Sequence, residues 1–95
     1  MKFTAADSAR FDTWKLEMTA AVLGVVPRFD GDEAAFPNTA LGLRINRRSG
    51  AWNSFAKAVG GYSGLRLLRC IKPNLTQDET IQWAIAWLAT HPGTS

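Results

Sequence analysis

The stretch "LGLRIN", residues 41–46, most restricts what this chain can fold into. Leu41, Leu43 and Ile45 alternate with Gly42, Arg44 and Asn46. A period of two puts the apolar side chains on one face of a half-buried strand. "RRSG" then supplies a turn, with Gly50 suited to a positive φ angle, and "AWNSF" supplies a returning strand. Residues 40–56 therefore read as a β-hairpin.

The period changes on both sides of the hairpin. "TAAD" at residues 4–7 has the form of a helix N-cap, in which a side-chain oxygen satisfies an orphan amide. Phe11, Trp14, Met18 and Val22 follow at spacings of three and four, on one face of a helix over 4–24. Asp7 and Asp12 suit the early turns of that helix, Gly24 is a C-terminal stop, and Pro27 prevents continuation. Residues 28–39, "RFDGDEAAFPNT", are acidic and rich in turn formers, and predict a loop with a short strand near Phe36. After "AKAVGG", Tyr62, Leu65, Leu68 and Ile71 recur as on a helix over 62–72, which Pro73 and Asn74 break. "TQDE" at 76–79 is a capping box that opens a last helix, 76–90, with Ile81, Ala84, Ile85 and Leu88 inward. Trp83 and Trp87 lie beside that stripe, either in the core or as an exposed apolar patch, and "HPGTS" ends the helix.

The order helix, hairpin, helix, helix predicts an α+β fold: a small antiparallel sheet supported by about three helices. The 95 residues suffice for one domain, 1–95, with a small core. No apolar run approaches the ~20 residues that span a bilayer. The opening "MKFTAADSARFDTW" lacks the apolar segment of a signal peptide, so the expected setting is cytoplasmic.

Charge is unevenly placed. None of the eight acids falls between Ala34 and Gln77, whereas seven bases do: Arg44, Arg47, Arg48, Lys57, Arg66, Arg69 and Lys72. A basic block of this kind suits phosphate tracking, because Arg and Lys release condensed counterions when they neutralise phosphates. The other reading of such a block is a solvated face. Arg44, Arg47, Arg48 and Lys57 belong to one hairpin and its exit loop, and are expected to converge on one surface that Arg66 and Arg69 extend. Trp52 is a candidate to stack on an unpaired base, or else a core residue.

Chemistry by other routes lacks its residues. Cys70 is the only cysteine and His91 the only histidine. Neither an internal disulfide nor a closed zinc site of Cys and His ligands can be built from them. Cys70, in the apolar run "LRLLRCI", reads as a buried packing residue. Asp30, Asp32 and Glu33 are conceivable Mg²⁺ ligands but read better as solvated acids. The glycine pair Gly60–Gly61 is not a Walker loop, which needs a Gly-Lys-Ser/Thr ending, and reads as a tight turn into the next helix. No catalytic set and no cofactor site emerges.

Taken together, residues 41–89 resemble the primase zinc-binding domain family, in its phage and plasmid primase–helicase branch. "LRINRRSGAWNSFAKAVGGYSGLRLL" and "TQDETIQWAIAWLA" carry the resemblance. Leu43 to Asn46 match the family's first strand, Trp52 its aromatic, Gly60 and Gly61 its glycine pair, Leu65 to Leu68 its helix, and Ile81 to Leu88 its last helix. The chain departs from the zinc form. Ser54 and Lys57 stand where the second cysteine pair belongs, the first pair expected between Arg28 and Pro37 is absent, and Tyr62 replaces an acid. "WNSF" fits an apolar version in which Trp52 and Phe55 pack in place of the metal.

The resemblance implies a non-enzymatic accessory domain of DNA replication that engages single-stranded DNA or docks against a helicase or primase module. Arg44, Arg47, Arg48, Trp52, Lys57, Arg66, Arg69 and Lys72 are the expected nucleic-acid contacts, with no metal and no cofactor. The alternative is a small interaction domain of a mobile element that docks on a helicase or polymerase module or on a host protein.

Overall fold

The computed structural model describes residues 3–37 and 40–91. Asn38 and Thr39 of the expected acidic loop, and the Pro92–Ser95 stretch expected to end the last helix, lie outside the described residues.

The fold is α+β, a five-stranded antiparallel sheet with four helices. Helices α1 (Ala5–Asp12) and α2 (Lys15–Leu23) come first. Strands β1 (Arg28–Asp30), β2 (Glu33–Ala35), β3 (Leu43–Asn46), β4 (Trp52–Ser54) and β5 (Val59–Gly61) follow. Helices α3 (Gly64–Ile71) and α4 (Gln77–Thr90) close the chain. The strands pair strictly with their sequence neighbours, in the order β1-β2-β3-β4-β5. Among the described residues no helix is long and apolar enough to cross a membrane.

Alternation in the hairpin sets the two faces of the sheet. Leu43, Ile45, Trp52 and Ser54 are buried on one face, and Arg44 and Asn53 point out from the other. The helices cover the apolar face. Phe11 and Met18 from α1 and α2, Leu67 and Leu68 from α3, and Ala84 and Leu88 from α4 join Phe36, Leu43, Ile45 and Trp52 in one core. Cys70 is free and buried in the same cluster.

Several expected elements take a different form. The single helix over 4–24 is two helices. The Thr13 hydroxyl donates to Arg10 O at 2.6 Å, and the Thr13 and Trp14 amides bond three residues back, to Arg10 O and Phe11 O. These tight bonds end α1 and re-aim the chain. The acidic loop 28–39 is largely the hairpin β1–β2, closed over Gly31 (φ +62°) and Asp32, with Phe29 opposite Ala34. The glycine pair is not a turn but part of β5, where Gly60 lies opposite Asn53. A Cβ on Gly60 would come within 2.7 Å of Trp52 O, so this close strand contact requires glycine.

Helix phases shift as well. α3 starts at the Ser63 N-cap, and its buried residues are Gly64, Leu67, Leu68 and Cys70. Tyr62 therefore precedes the helix and is exposed, not inward. In α4, Thr80, Ala84 and Leu88 are buried, while Ile81 and Ile85 are half-buried at the margin. Trp83 and Trp87 pack against α1 and its exit. Trp83 meets Phe11 edge-on at 6.4 Å, Trp87 meets Trp14 edge-on at 6.3 Å, and the two indoles stack 5.6 Å apart.

Candidate nucleic-acid interface

The hairpin β3–β4 separates the expected contact residues because its two ends point in opposite directions. Arg47 and Arg48 occupy the β3–β4 turn, and Lys57 the β4–β5 turn at the other end of β4. Arg44 stands on the open face of the sheet between Ala35 and Asn53, beside a small hollow that also holds Glu33. The eight residues do not form one surface.

Arg47 is committed to the fold. Its Nη2 donates to Gly31 O at 2.7 Å, its backbone amide donates to Asp32 O at 2.7 Å, and its guanidinium lies 4.3 Å from the centroid of the Phe29 ring. These three contacts hold the β1–β2 turn against the β3–β4 turn. Arg48 is exposed, and its side chain makes no hydrogen bond or ion pair among the described residues.

Trp52 is 5% exposed and faces the core, and its indole N–H donates to Ser63 O at 3.1 Å. So little of the ring is exposed that the stacking role expected for it is corrected to a core role. Phe55 corrects the packing expectation in the opposite sense, being 71% exposed. Residues three apart on an extended strand lie on opposite faces, so Trp52 and Phe55 cannot pack together. The two residues at the expected ligand positions tie backbone instead. Ser54 Oγ donates to Leu41 O at 2.6 Å and accepts from the Lys57 amide at 3.3 Å, and Lys57 Nζ donates to Cys70 O at 3.1 Å. Among the described residues no group of three His, Cys, Asp or Glu side chains is placed to hold a metal ion.

Lys57, Arg66 and Arg69 do come together. With Trp52, Val59, Cys70 and Pro73 they line a groove of about 320 Å³ between the β4–β5 turn and α3. Arg66 and Arg69 are three apart, hence neighbours on the exposed side of α3, and the Lys57–Cys70 bond draws the turn onto the same helix. Among the described residues no acid lines this groove. An adjoining hollow, lined by Asn53, Ser54, the exposed Phe55, Ala58 and Val59, shares Val59 with it. Ala58 holds this turn at φ +54°, a left-handed conformation unusual for a residue with a Cβ. Lys72 is half-buried, and its amide caps α3 by donating to Leu68 O at 2.8 Å.

Sequence reasoning missed Phe55 as an exposed aromatic, although the signal was present. Trp52 in, Asn53 out and Ser54 in predict Phe55 out. Comparison of the chain with protein-family models, with curated proteins and with solved structures finds no match.

Proposed function

We propose that this protein is a non-enzymatic, cytoplasmic DNA-replication accessory domain that binds single-stranded DNA along α3 and the β4–β5 turn. The carrying observation is the groove lined by Lys57, Arg66 and Arg69 and by no acid, which adjoins across Val59 the hollow of the exposed Phe55. Three cations on one short edge attract a phosphate backbone, and counterion release makes that attraction salt-dependent and tolerant of sequence. A neighbouring aromatic face adds stacking on an unpaired base, about 1–3 kcal/mol per base. The replication setting rests on the resemblance of residues 41–89 to primase zinc-binding domains. In this reading Arg44, Arg47, Arg48 and Lys72 are outside the principal contact, and Phe55 takes the part expected of Trp52.

Titration of a labelled single strand at two salt concentrations tests the reading. Reversing Arg66 and Arg69 to Glu should weaken binding to unrelated sequences alike, because phosphate contacts position a strand without reading it. The slope of log affinity against log salt should become shallower by roughly 0.7 per lost contact. Absence of saturable binding at low salt, or a double reversal that binds as wild type does, refutes the proposal. The exposed apolar edge at Phe55 and Val59 is then a surface for a helicase or polymerase module instead.

A further inference from the structure

A second groove lies elsewhere, between the start of α2 and the β3–β4 turn. It encloses about 470 Å³, and Asp12, Lys15, Glu17, Asn46, Arg48 and Gly50 are among its lining residues. That size is within the range of small-molecule sites. Its floor is unusual. Lys15 is only 7% exposed, and its Nζ, which carries three N–H donors, makes one hydrogen bond among the described residues, to Tyr62 O. Gly50, at φ +80°, passes so close that a Cβ there would lie 3.0 Å from Lys15 Nζ. The positive φ is what calls for glycine in this turn, and its lack of a side chain leaves the turn close to the ammonium.

We propose that this groove binds a phosphorylated polyol, the chemistry shared by sugar phosphates and nucleoside monophosphates, with the phosphate between Lys15 and Arg48. The surrounding groups fit each part of such a ligand. Arg48 lines the groove, is exposed, and has no partner for its guanidinium among the described residues. Asn46 Oδ1 accepts from the Arg48 and Ser49 amides, both at 2.9 Å, which leaves its NH₂ group to donate. The N-terminus of α2 has no side-chain cap, so its first amides add donors near the Lys15 end. The acids set the ligand class. Asp12 Oδ1 is taken by the Gly64 amide at 2.8 Å, but its other oxygen and the exposed Glu17 carboxylate are acceptors. A lining that mixes acceptors with donors suits sugar hydroxyls and disfavours a bare anion. Burial lowers the Lys15 pKa, and the charge of Asp12 offsets this only in part. A phosphate beside Nζ would supply the missing counter-charge. The site is independent of strand binding at α3.

Amide NMR of the folded protein tests this with ribose 5-phosphate, adenosine 5′-monophosphate and inorganic phosphate, against sodium chloride at equal ionic strength. Saturable shifts of the Lys15, Ser49 and Gly50 amides are expected with both organic phosphates, with inorganic phosphate weaker. Tighter binding of the nucleotide than of the sugar phosphate would assign the nucleoside as the natural ligand, and equal binding the sugar phosphate. Arg48→Ala, an exposed change that leaves the core intact, should weaken binding about tenfold or more, the loss expected for one charge-assisted hydrogen bond. In wild type, the titration of the Lys15 amine should move upward when ligand is bound. Shifts that chloride reproduces, unchanged affinity in Arg48→Ala, or a Lys15 titration that ligand does not move would each overturn the site.

Discussion

Trp52 and Phe55 are both aromatic and three residues apart, yet truncating them should have opposite consequences. Trp52→Ala removes a buried indole from the core together with its bond to Ser63 O. Such truncations cost about 3–5 kcal/mol. A domain of 95 residues, at ~0.05–0.15 kcal/mol per residue, holds roughly 5–14 kcal/mol in all. Each kcal/mol moves the melting temperature of a domain this size by about 4–8 °C. Trp52→Ala should therefore melt at least about 12 °C below wild type, or fail to fold. Trp52→Phe keeps most of the volume and loses the indole donor, a cost of about 1–3 kcal/mol if Ser63 O is left unpaired. Phe55→Ala changes an exposed side chain and should stay within ~0.5 kcal/mol of wild type, under about 4 °C. It should, however, lose about 1–3 kcal/mol of affinity for a single strand, with the salt slope nearly unchanged. Thermal melts by circular dichroism and strand titration by fluorescence anisotropy separate the two effects. A Trp52→Ala protein that melts within a few degrees of wild type would refute the core assignment. A Phe55→Ala protein with full affinity would remove stacking from the binding proposal.

The other predictions concern single contacts. Arg47→Ala should cost about 1–2 kcal/mol, the sum expected for its bond to Gly31 O and its place over Phe29, while Arg48→Ala should stay near wild type in denaturant melts. Equal melts for the two variants would show that Arg47 holds nothing. Gly60→Ala forces a methyl against Trp52 O and should cost about 1–3 kcal/mol, measured by urea unfolding. Lys15 gives a pH signature. Its folded pKa lies below the usual 10.5, so between the two values the unfolded chain holds more protons and stability rises with pH. Lys15→Met should lack that rise when its alkaline stability profile is subtracted from that of wild type. A difference that is flat, or falls with pH, would contradict the burial of the charged amine.

Legibility followed the length of the periodic signal. Both capping boxes, Thr4 with Asp7 and Thr76 with Glu79, are present as read, because the donor–acceptor reciprocity is local. β3 and β4 were legible from alternation. β1 and β2 were not, since three residues each, "RFD" and "EAA", cannot show a period, and the acids around Gly31 made the segment look like loop. Their pairing is fixed from outside, by β3 and by Arg47 bonding to Gly31 O and Asp32 O. The break at Thr13 was hidden because Phe11, Trp14 and Met18 keep helical spacing across it. The side chains of α1 and α2 reach one core despite the kink. Phe55 was misplaced for a different reason: the aromatic–x–x–Phe pattern suggested a packed pair, although strand geometry forbids it.

The basic block shows why contiguity in sequence did not become contiguity in space. A hairpin carries its two turns to opposite ends of a strand, so charges written a few residues apart are separated by the length of the sheet. Arg47 and Arg48 went one way, with Arg47 absorbed into the β1–β2 contact. Lys57 went the other way and met α3, whose helical period had already placed Arg66 and Arg69 side by side. The acid-free edge is thus made by a turn and a helix that are adjacent only because β5 folds back along β4, and β5 lies close enough only because residue 60 has no side chain. Gly60 is then the residue on which the basic groove depends most, although it is not among the residues that line it. A loss of single-strand affinity in Gly60→Ala that exceeds its loss of stability, measured well below the melting temperature, is the outcome this argument requires. Full affinity in the folded variant would mean that Lys57 reaches α3 without β5.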